Sequence, residues 1–270
     1  MQTVFYDGSF EGWLCAVFDV YYYKFNDVII CPEQKSQTNL FNEAHFVVNK
    51  KEHSQRVWEG LQKKLTPEAL QQVYKTFLSE LPDIENTLLQ YVQYVLSSDV
   101  RIEMDFAHPA VLAVHQTAKK VWKEQHRMEA FVRFQQTKDQ LFYAIIEPDY
   151  NVLPLISTHF KNRYADQHWL IFDARRKYGI YYDLHEVAEV KMNFSEGTNN
   201  GADASLFYDE EESIYQQLWQ QYFKAVNIPA RKNTKLHIQH MPARYWKYLP
   251  EKKLFKPDEG AINAKFNRQS

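Results

Sequence analysis

The stretch AFVRFQQTKDQLFYAII, residues 130–146, decides the fold that the sequence predicts. Its first five residues alternate Ala, Val and Phe with Phe and Arg, a polar turn QTKDQ follows, and an apolar run returns. Alternation with period two on either side of a polar turn is typical of a β-hairpin. A second strand pair is expected at residues 169–173 and 179–182 around the tip ARRKYG, with a helix over residues 152–163 between the two hairpins. The sequence thus predicts an antiparallel sheet built as hairpin, helix, hairpin.

The residues on the N-terminal side of this unit predict a block of helices. A short strand over residues 3–6 leads through an Asp-Gly-Ser turn into an apolar helix, and Thr66-Pro67-Glu68 supplies an N-cap, a proline at the first helical position and an early acid. Apolar residues at steps of three and four continue as far as residue 95, and another helix is expected over residues 109–125. The predicted fold class is therefore α+β.

Three parts of the chain are expected from this pattern. Residues 1–100 hold the first strands and the helical block, residues 101–250 form an α+β core domain with a basic and aromatic C-terminal segment, and residues 251–270 form a disordered tail. Within the second part, a strand is expected over residues 186–194 and an acidic-started helix over residues 211–225.

Composition excludes several classes of protein. The chain is 45% hydrophobic with seven glycines and ten prolines, which suits a packed globular protein. No apolar run approaches the roughly 18 residues of a membrane span, and the first residues lack a basic, then apolar, leader, so we expect no membrane association and a cytoplasmic location. Two cysteines cannot build a disulfide framework.

Motifs for cofactors and metals are also missing from the sequence. Phosphate-loop, dinucleotide, nucleophile-elbow, HExxH and CxxC patterns do not occur. Asp105 and His108 are close in sequence, but two candidate ligands without a third are weak evidence for a metal. We therefore expect neither a metal nor another cofactor.

Basic and aromatic residues are interleaved along the predicted β-unit and again in HMPARYWKYLPEKK, residues 240–253. Guanidinium groups match phosphate oxygens, and flat rings stack on unpaired bases. The alternatives are that internal acids pair with these cations and that the 240–253 segment fastens the chain end to the core. The candidate nucleic-acid contacts are Arg127, Arg133, Arg163, Trp169, Arg175, Arg176, Lys177, Arg244, Trp246 and Lys247.

A row of side chains along one helix edge supplies the candidate catalytic residues. His115, Lys119, Trp122 and His126 follow steps of four, three and four. Histidine titrates near neutral pH, so His115 and His126 are candidates for a general acid or base, and the row also suits an anionic backbone. The alternative is that these side chains rest their apolar parts on the core and keep their polar ends in water.

Four segments resemble a bacterial family assigned to DNA metabolism or DNA repair. They are YDGSFEGWLCAVFDVYY (6–22), HRMEAFVRFQ (126–135), HFKNRYADQHWLIFDARRKYGIYYD (159–183) and MPARYWKYLPE (241–251). The resemblance covers nearly the whole chain and implies partnership with a radical SAM protein that acts in DNA repair or modification. Because this chain lacks the CxxxCxxC ligands, the partner would supply any iron–sulfur cluster.

Three functions follow as hypotheses. The first is a DNA-binding accessory or repair factor that presents DNA to the radical SAM partner. The second is an enzyme that acts directly on a nucleobase or nucleotide, and the third is a protein-interaction subunit without nucleic-acid contact.

Overall fold

The computed structural model describes residues 2–35, 44–136, 141–191 and 241–249 of a chain that divides into two compact units, Met1–Lys123 and Glu124–Ser270. The first unit contains strands β1 (Gln2–Tyr6), β2 (Val28–Pro32) and β3 (Ala44–Phe46) and helices α1 (Phe10–Tyr22), α2 (Lys51–Lys64), α3 (Pro67–Phe77) and α4 (Ile84–Ser97). Helix α5 (Pro109–Phe131) begins in the first unit and ends in the second. The second unit contains β4 (Gln135–Gln136), β5 (Phe142–Ile146), α6 (Leu153–Arg163), β6 (Trp169–Asp173), β7 (Tyr178–Tyr182), β8 (Val187–Lys191) and a 3₁₀ helix (Ala243–Tyr248). The unit boundary lies inside α5, whereas the sequence pattern placed a domain boundary near residue 100.

The first unit is built on a parallel three-stranded sheet with the order β2-β1-β3. The central strand pairs with both neighbours in parallel, so that Val4 lies opposite Ile30 on one side and His45 on the other. Val4, Tyr6 and Ile30 are fully buried, as are most residues of α1. Val4, Tyr6 and Ile30 lie on the same face of the sheet, because side chains alternate along a strand and paired positions share a face.

Helix α1 begins where its sequence supplies a cap. The Ser9 hydroxyl accepts a hydrogen bond from the Gly12 amide at 2.9 Å, and the Asp7 carboxylate accepts from the Ser9 amide and hydroxyl. One turn later, Trp13 is fully buried and its indole nitrogen donates to the backbone oxygen of Glu85 at 3.3 Å. The cap and this contact fix α1 against the start of α4.

Helices α3 and α5 are joined by a buried polar contact. The Thr66 side chain caps α3 by accepting from the Ala69 amide, and Pro67 occupies the first turn, as the sequence predicts. Near the other end of α3, the fully buried Thr76 hydroxyl donates to the backbone oxygen of Val114 in α5 at 3.1 Å. This bond holds the two helices side by side.

The second unit contains the predicted hairpin, helix and hairpin in a five-stranded sheet with the order β4-β5-β6-β7-β8. The α+β class is confirmed. The predicted antiparallel pairing is confirmed only in part: β4–β5, β6–β7 and β7–β8 are antiparallel, but β5 and β6 pair in parallel, and the sheet of the first unit is parallel throughout. The reason is α6: a helical crossover between neighbouring strands returns the chain to the same end of the sheet, which makes the two strands parallel.

The first hairpin is shorter than predicted. Helix α5 continues to Phe131, and the Arg133 guanidinium donates to the backbone oxygens of Ala130 and Val132 at its C-terminal end. Only Gln135–Gln136 remains to pair with β5. Met128 and Val132, both buried, lie four residues apart, which is a helical repeat that the period-two pattern concealed.

The predicted strand over residues 186–194 is present as β8. The helix expected over residues 211–225 and the tail 251–270 lie outside the described residues. In the part of the chain that the structure describes, no helix combines the length and apolar character needed to span a membrane.

We expect Gly12→Ala to destabilise the protein, because an added Cβ would lie 2.0 Å from the Asp7 carboxylate oxygen that accepts hydrogen bonds from the capping residue Ser9. Displacing that carboxylate breaks its bonds to Ser9, and we expect the free energy of unfolding to fall by about 1–3 kcal/mol. Gly60→Ala in α2 is the matched control, since its Cβ meets only Leu96 Cδ2 at 4.0 Å. Replacing a helical glycine by alanine should raise stability there by up to about 1 kcal/mol. Equal effects in denaturant unfolding would contradict the role of Asp7 in holding the Ser9 cap.

Candidate active site around Asp19 and His45

Asp19 is a carboxylate that the fold buries among the apolar residues of α1. The residue is 8% exposed and lies in the third turn of α1, next to the buried Val20. Burying a carboxylate is costly unless it is paired and hydrogen-bonded. The neighbours of Asp19 therefore have to supply polar partners.

The first partner is His45 in β3, whose Nε2 lies 2.7 Å from Asp19 Oδ2. The parallel pairing of β1 with β3 places His45 opposite Val4 and so fixes its position on the sheet. A carboxylate only accepts hydrogen bonds, so the imidazole nitrogen that faces it carries a hydrogen. In the neutral ring, Nδ1 then holds the free lone pair.

A second imidazole lies on the other side of the same carboxylate. His53 in α2 places its Nδ1 4.0 Å from Asp19 Oδ1, and its ring stacks on Phe18 at a centroid distance of 3.9 Å. Asp19 therefore lies between two histidines that come from a strand and from a helix. The side chains of His45 and His53 are 23% and 28% exposed, so water reaches both rings.

Aromatic rings surround this cluster at the C-terminal end of α1. The His45 ring contacts Tyr23 and Phe25 edge-on, at centroid distances of 5.1 and 5.4 Å. Tyr22 and Tyr23 are each more than half exposed. Large rings at the surface beside a polar cluster are typical of a surface that stacks on a flat ligand.

An open groove of about 340 Å³ continues this aromatic surface. Its lining includes Phe18, Tyr21 and Tyr22 of α1 together with Arg56 of α2. The Arg56 guanidinium lies 5.9 Å above the Phe18 ring, within range of a cation–π contact. The groove thus combines flat rings with a cation.

The arrangement is suited to proton transfer. A carboxylate that holds one imidazole nitrogen fixes the tautomer and orientation of the ring and stabilises its protonated form. His45 Nδ1 can then accept a proton from a nucleophile, and the protonated ring can return it to a leaving group. Asp19 acts through His45 and is a positioning residue.

No group of three His, Cys, Asp or Glu side chains arranged to hold a metal occurs within the described residues. Asp105 and His108, the pair noted in the sequence, both contact Tyr94. The Tyr94 hydroxyl donates to Asp105 at 2.6 Å, and the His108 ring stacks on the Tyr94 ring at 4.1 Å. These contacts give both residues a structural role.

The four residues of the predicted histidine row do not share one site. Helix α5 persists through His126, as the prediction required, and His115, Lys119 and Trp122 line a groove of about 320 Å³ against α3. His126 lies in the second unit, where its Nδ1 is 3.8 Å from Glu129 Oε2. The catalytic role of His115 and His126 stays a prediction.

The predicted nucleic-acid contacts between residues 127 and 177 differ in their exposure and in their partners. Arg175 and Lys177 are exposed at the β6–β7 tip, and the exposed Arg163 lies 5.8 Å from the Tyr164 ring. Arg127 Nη1 lies 3.5 Å from the buried carboxylate of Glu124. Arg133 is the residue that closes the end of α5.

Two of these candidates are buried within the second unit. Trp169 has no exposed surface and packs against Phe134, Phe160 and Tyr182, so a base cannot stack on it in this fold. Arg176 is 10% exposed and its guanidinium binds the fully buried Asp173 at 2.9 Å. Both side chains stabilise the sheet and its tip.

The basic segment near the C-terminus docks on acidic residues of the same unit. Arg244 binds Asp149 at 2.6 Å and Glu124 at 3.3 Å, and Lys247 pairs with Glu147. Trp246 donates from its indole nitrogen to the backbone oxygen of Met241 at 3.1 Å. These contacts favour the alternative that the segment attaches the chain to the core of its unit. Nucleic-acid contact by this segment stays a prediction.

Glu124 is the centre of that docking. Its side chain is 1% exposed, and it accepts hydrogen bonds from the Asp149 amide at 2.8 Å and from the Tyr245 hydroxyl. Burial and the neighbouring carboxylate raise the pKa of Tyr245, so its hydroxyl keeps its proton and remains a donor. One buried acid thus holds the end of the chain.

Sequence reasoning missed the Asp19–His45 pair. The available signal was the charged residue in the apolar run CAVFDVYY, because a carboxylate inside a buried helix needs a partner. His45 gave no signal of its own, since its position opposite Val4 depends on strand pairing.

The comparisons with known proteins place the chain in a family. The model of the DUF4130 family, a domain of unknown function, matches residues 82–251, and the chain belongs to this family. No curated protein matches it. Among solved structures, the pGpG-specific phosphodiesterase PggH from Vibrio cholerae is similar with a TM-score of 0.34 and 11% identity, over 84% of this chain and 99% of that chain. At this TM-score the likeness carries no information about function, and the DNA-repair role and radical SAM partnership stay predictions.

The two arginines of the β6–β7 tip differ in exposure, and Arg176 pairs with a buried carboxylate. We expect Arg176→Ala to lower the free energy of unfolding by about 3 kcal/mol, because it leaves Asp173 as a buried carboxylate without its guanidinium. Arg175→Ala is the control: this side chain is exposed and donates one hydrogen bond, to the backbone oxygen of Asp149 at 3.2 Å, so its loss should lower stability by no more than about 1 kcal/mol. Denaturant unfolding of the two variants measures the difference, and a stable Arg176→Ala protein would refute the structural role.

Proposed function

We propose that this chain is an enzyme that acts on a nucleobase or nucleotide, with His45 as general acid or base and Asp19 as its positioning residue. The observation that carries the proposal is the 2.7 Å contact between Asp19 Oδ2 and His45 Nε2. The histidine of this pair is reached by water, and the carboxylate is buried. Such a pair orients an imidazole for proton transfer.

The surroundings favour an aromatic, anionic substrate. The exposed rings of Tyr22 and Tyr23 provide faces on which a base can stack. Arg56, in the groove beside them, offers a guanidinium that matches phosphate oxygens. A nucleotide combines both features, a flat base and a phosphate.

His45 would do the proton transfer and the rings would position the base. In the proposed reaction, His45 Nδ1 removes a proton from the attacking water or hydroxyl, while Asp19 stabilises the imidazolium that forms. The attacking oxygen forms a bond to a phosphorus atom of the substrate while the bond from phosphorus to the leaving oxygen breaks, and the proton passes from His45 to that leaving oxygen. His53, on the other side of Asp19, restrains the carboxylate between two rings.

The test uses His45→Gln and Asp19→Asn in turnover assays. The full chain is incubated with nucleoside monophosphates, linear dinucleotides and short single-stranded oligodeoxynucleotides, and products are separated by chromatography and identified by mass. General acid–base catalysis contributes about 10²- to 10⁴-fold, so we expect His45→Gln to lower kcat/KM by at least about 100-fold. Asp19→Asn should give a smaller loss, because the imidazole remains but can take the wrong tautomer.

His185→Gln is the matched control, since this histidine is exposed, lies in the second unit and has no proposed catalytic role. It should leave kcat/KM unchanged, and circular dichroism should show that all three variants are folded. Full turnover by His45→Gln would overturn the proposal. So would the absence of turnover by the wild-type protein with every member of the panel.

A further inference from the structure

The groove between α3 and α5 is formed by two matching helical stripes. From α3 it is lined by residues at positions 68, 71, 72 and 75, and from α5 by residues at positions 115, 118, 119 and 122. Each set follows steps of three and four, so each helix presents one face to the same groove. The buried bond from Thr76 to Val114 holds these faces together.

The side chains that line the groove supply an aromatic ring, two cations, two amides and a carboxylate. Trp122 is 51% exposed, so a large part of its ring is open to solvent. Lys75 and Lys119 bring cations from the two walls, and Gln71 and Gln72 bring amides that both donate and accept hydrogen bonds. Glu68 is the carboxylate of the lining.

We propose that this groove binds single-stranded nucleic acid, with one base stacked on Trp122 and the flanking phosphates on Lys75 and Lys119. A ring for stacking next to cations for the backbone is the arrangement by which proteins bind single strands without sequence preference. The glutamine amides suit the polar edge of an unpaired base. The volume of about 320 Å³ lies at the lower end of the range for small-ligand sites, which fits one nucleotide unit of a strand.

A strand fits better than a duplex or a free nucleotide. In a duplex the bases are stacked on each other and are not available to a ring inside a groove. Beyond the lining, the exposed Lys123 lies one turn after Lys119 and extends the cations along α5. A row of cations along a helix matches a chain of phosphates, whereas a mononucleotide has one phosphate group. The proposal does not depend on acid–base chemistry at His45.

The test measures binding of a fluorescent oligothymidylate of about 15 nucleotides by anisotropy. Loss of one stacking contact should weaken binding of the Trp122→Ala protein by about 10- to 100-fold, and Trp122→Phe, which keeps a ring, should retain most of the affinity. Lys119→Ala should weaken binding and reduce the slope of log affinity against log salt by about 0.7, the value for one phosphate contact on a single strand.

Lys63→Ala is the matched control, because this exposed lysine lies in the last turn of α2 and does not line the groove. It should change affinity less than about two-fold, and a duplex of the same length and free thymidine monophosphate should bind at least about ten-fold more weakly than the single strand. Wild-type affinity in a folded Trp122→Ala protein would overturn the proposal, as would equal binding of duplex and single strand.

The two proposals fail separately. His45→Gln should bind the oligothymidylate as the wild-type protein does, so lost turnover with intact binding leaves the groove proposal standing. Unchanged binding by Trp122→Ala together with lost turnover by His45→Gln would overturn the groove proposal and leave the proposed role of His45 standing.

Discussion

Both units depend on the pairing of buried carboxylates. Asp19, Glu124 and Asp173 each have at most 8% of their surface exposed, and each lies in an element packed into a core. Since a buried charge is unfavourable without a partner, the chain has to bring polar groups from distant segments to each of them. Asp19 receives two histidines, Glu124 receives the C-terminal segment, and Asp173 receives Arg176 at the strand-pair tip.

The nature of the partner decides what each carboxylate can do. Glu124 and Asp173 pair with arginines, whose guanidinium groups stay charged at any pH that a protein meets, so these contacts stabilise the fold and move no proton. Asp19 pairs with imidazoles that water reaches. This difference explains why the same physical constraint yields structural contacts in one unit and a candidate acid–base site in the other.

Basic residues that look equivalent in the sequence have different roles for the same reason. Arg175 and Arg176 are neighbours, yet one side chain is exposed and the other is enclosed by Asp173 and the backbone oxygens of Pro148 and Asp149. Trp169 and Trp122 likewise carry the same indole ring, but the first is fully buried and the second is half exposed. Local sequence gives the chemistry of a side chain, and its neighbours in space decide whether a ligand can reach it.

The sequence by itself determined the α+β class, the Thr66 cap of α3, the extent of α6 and the two strands of the second hairpin, because periodicity and capping act over a few residues. It also placed His115, Lys119 and Trp122 along one edge of α5, which a helical repeat of 3.6 residues fixes. Only the tertiary structure decided that β5 and β6 are parallel, that α3 faces α5 across a groove, and that His45 meets Asp19. Strand direction, helix packing and the pairing of residues 26 positions apart depend on burial and hydrogen bonds between segments, which no local pattern records.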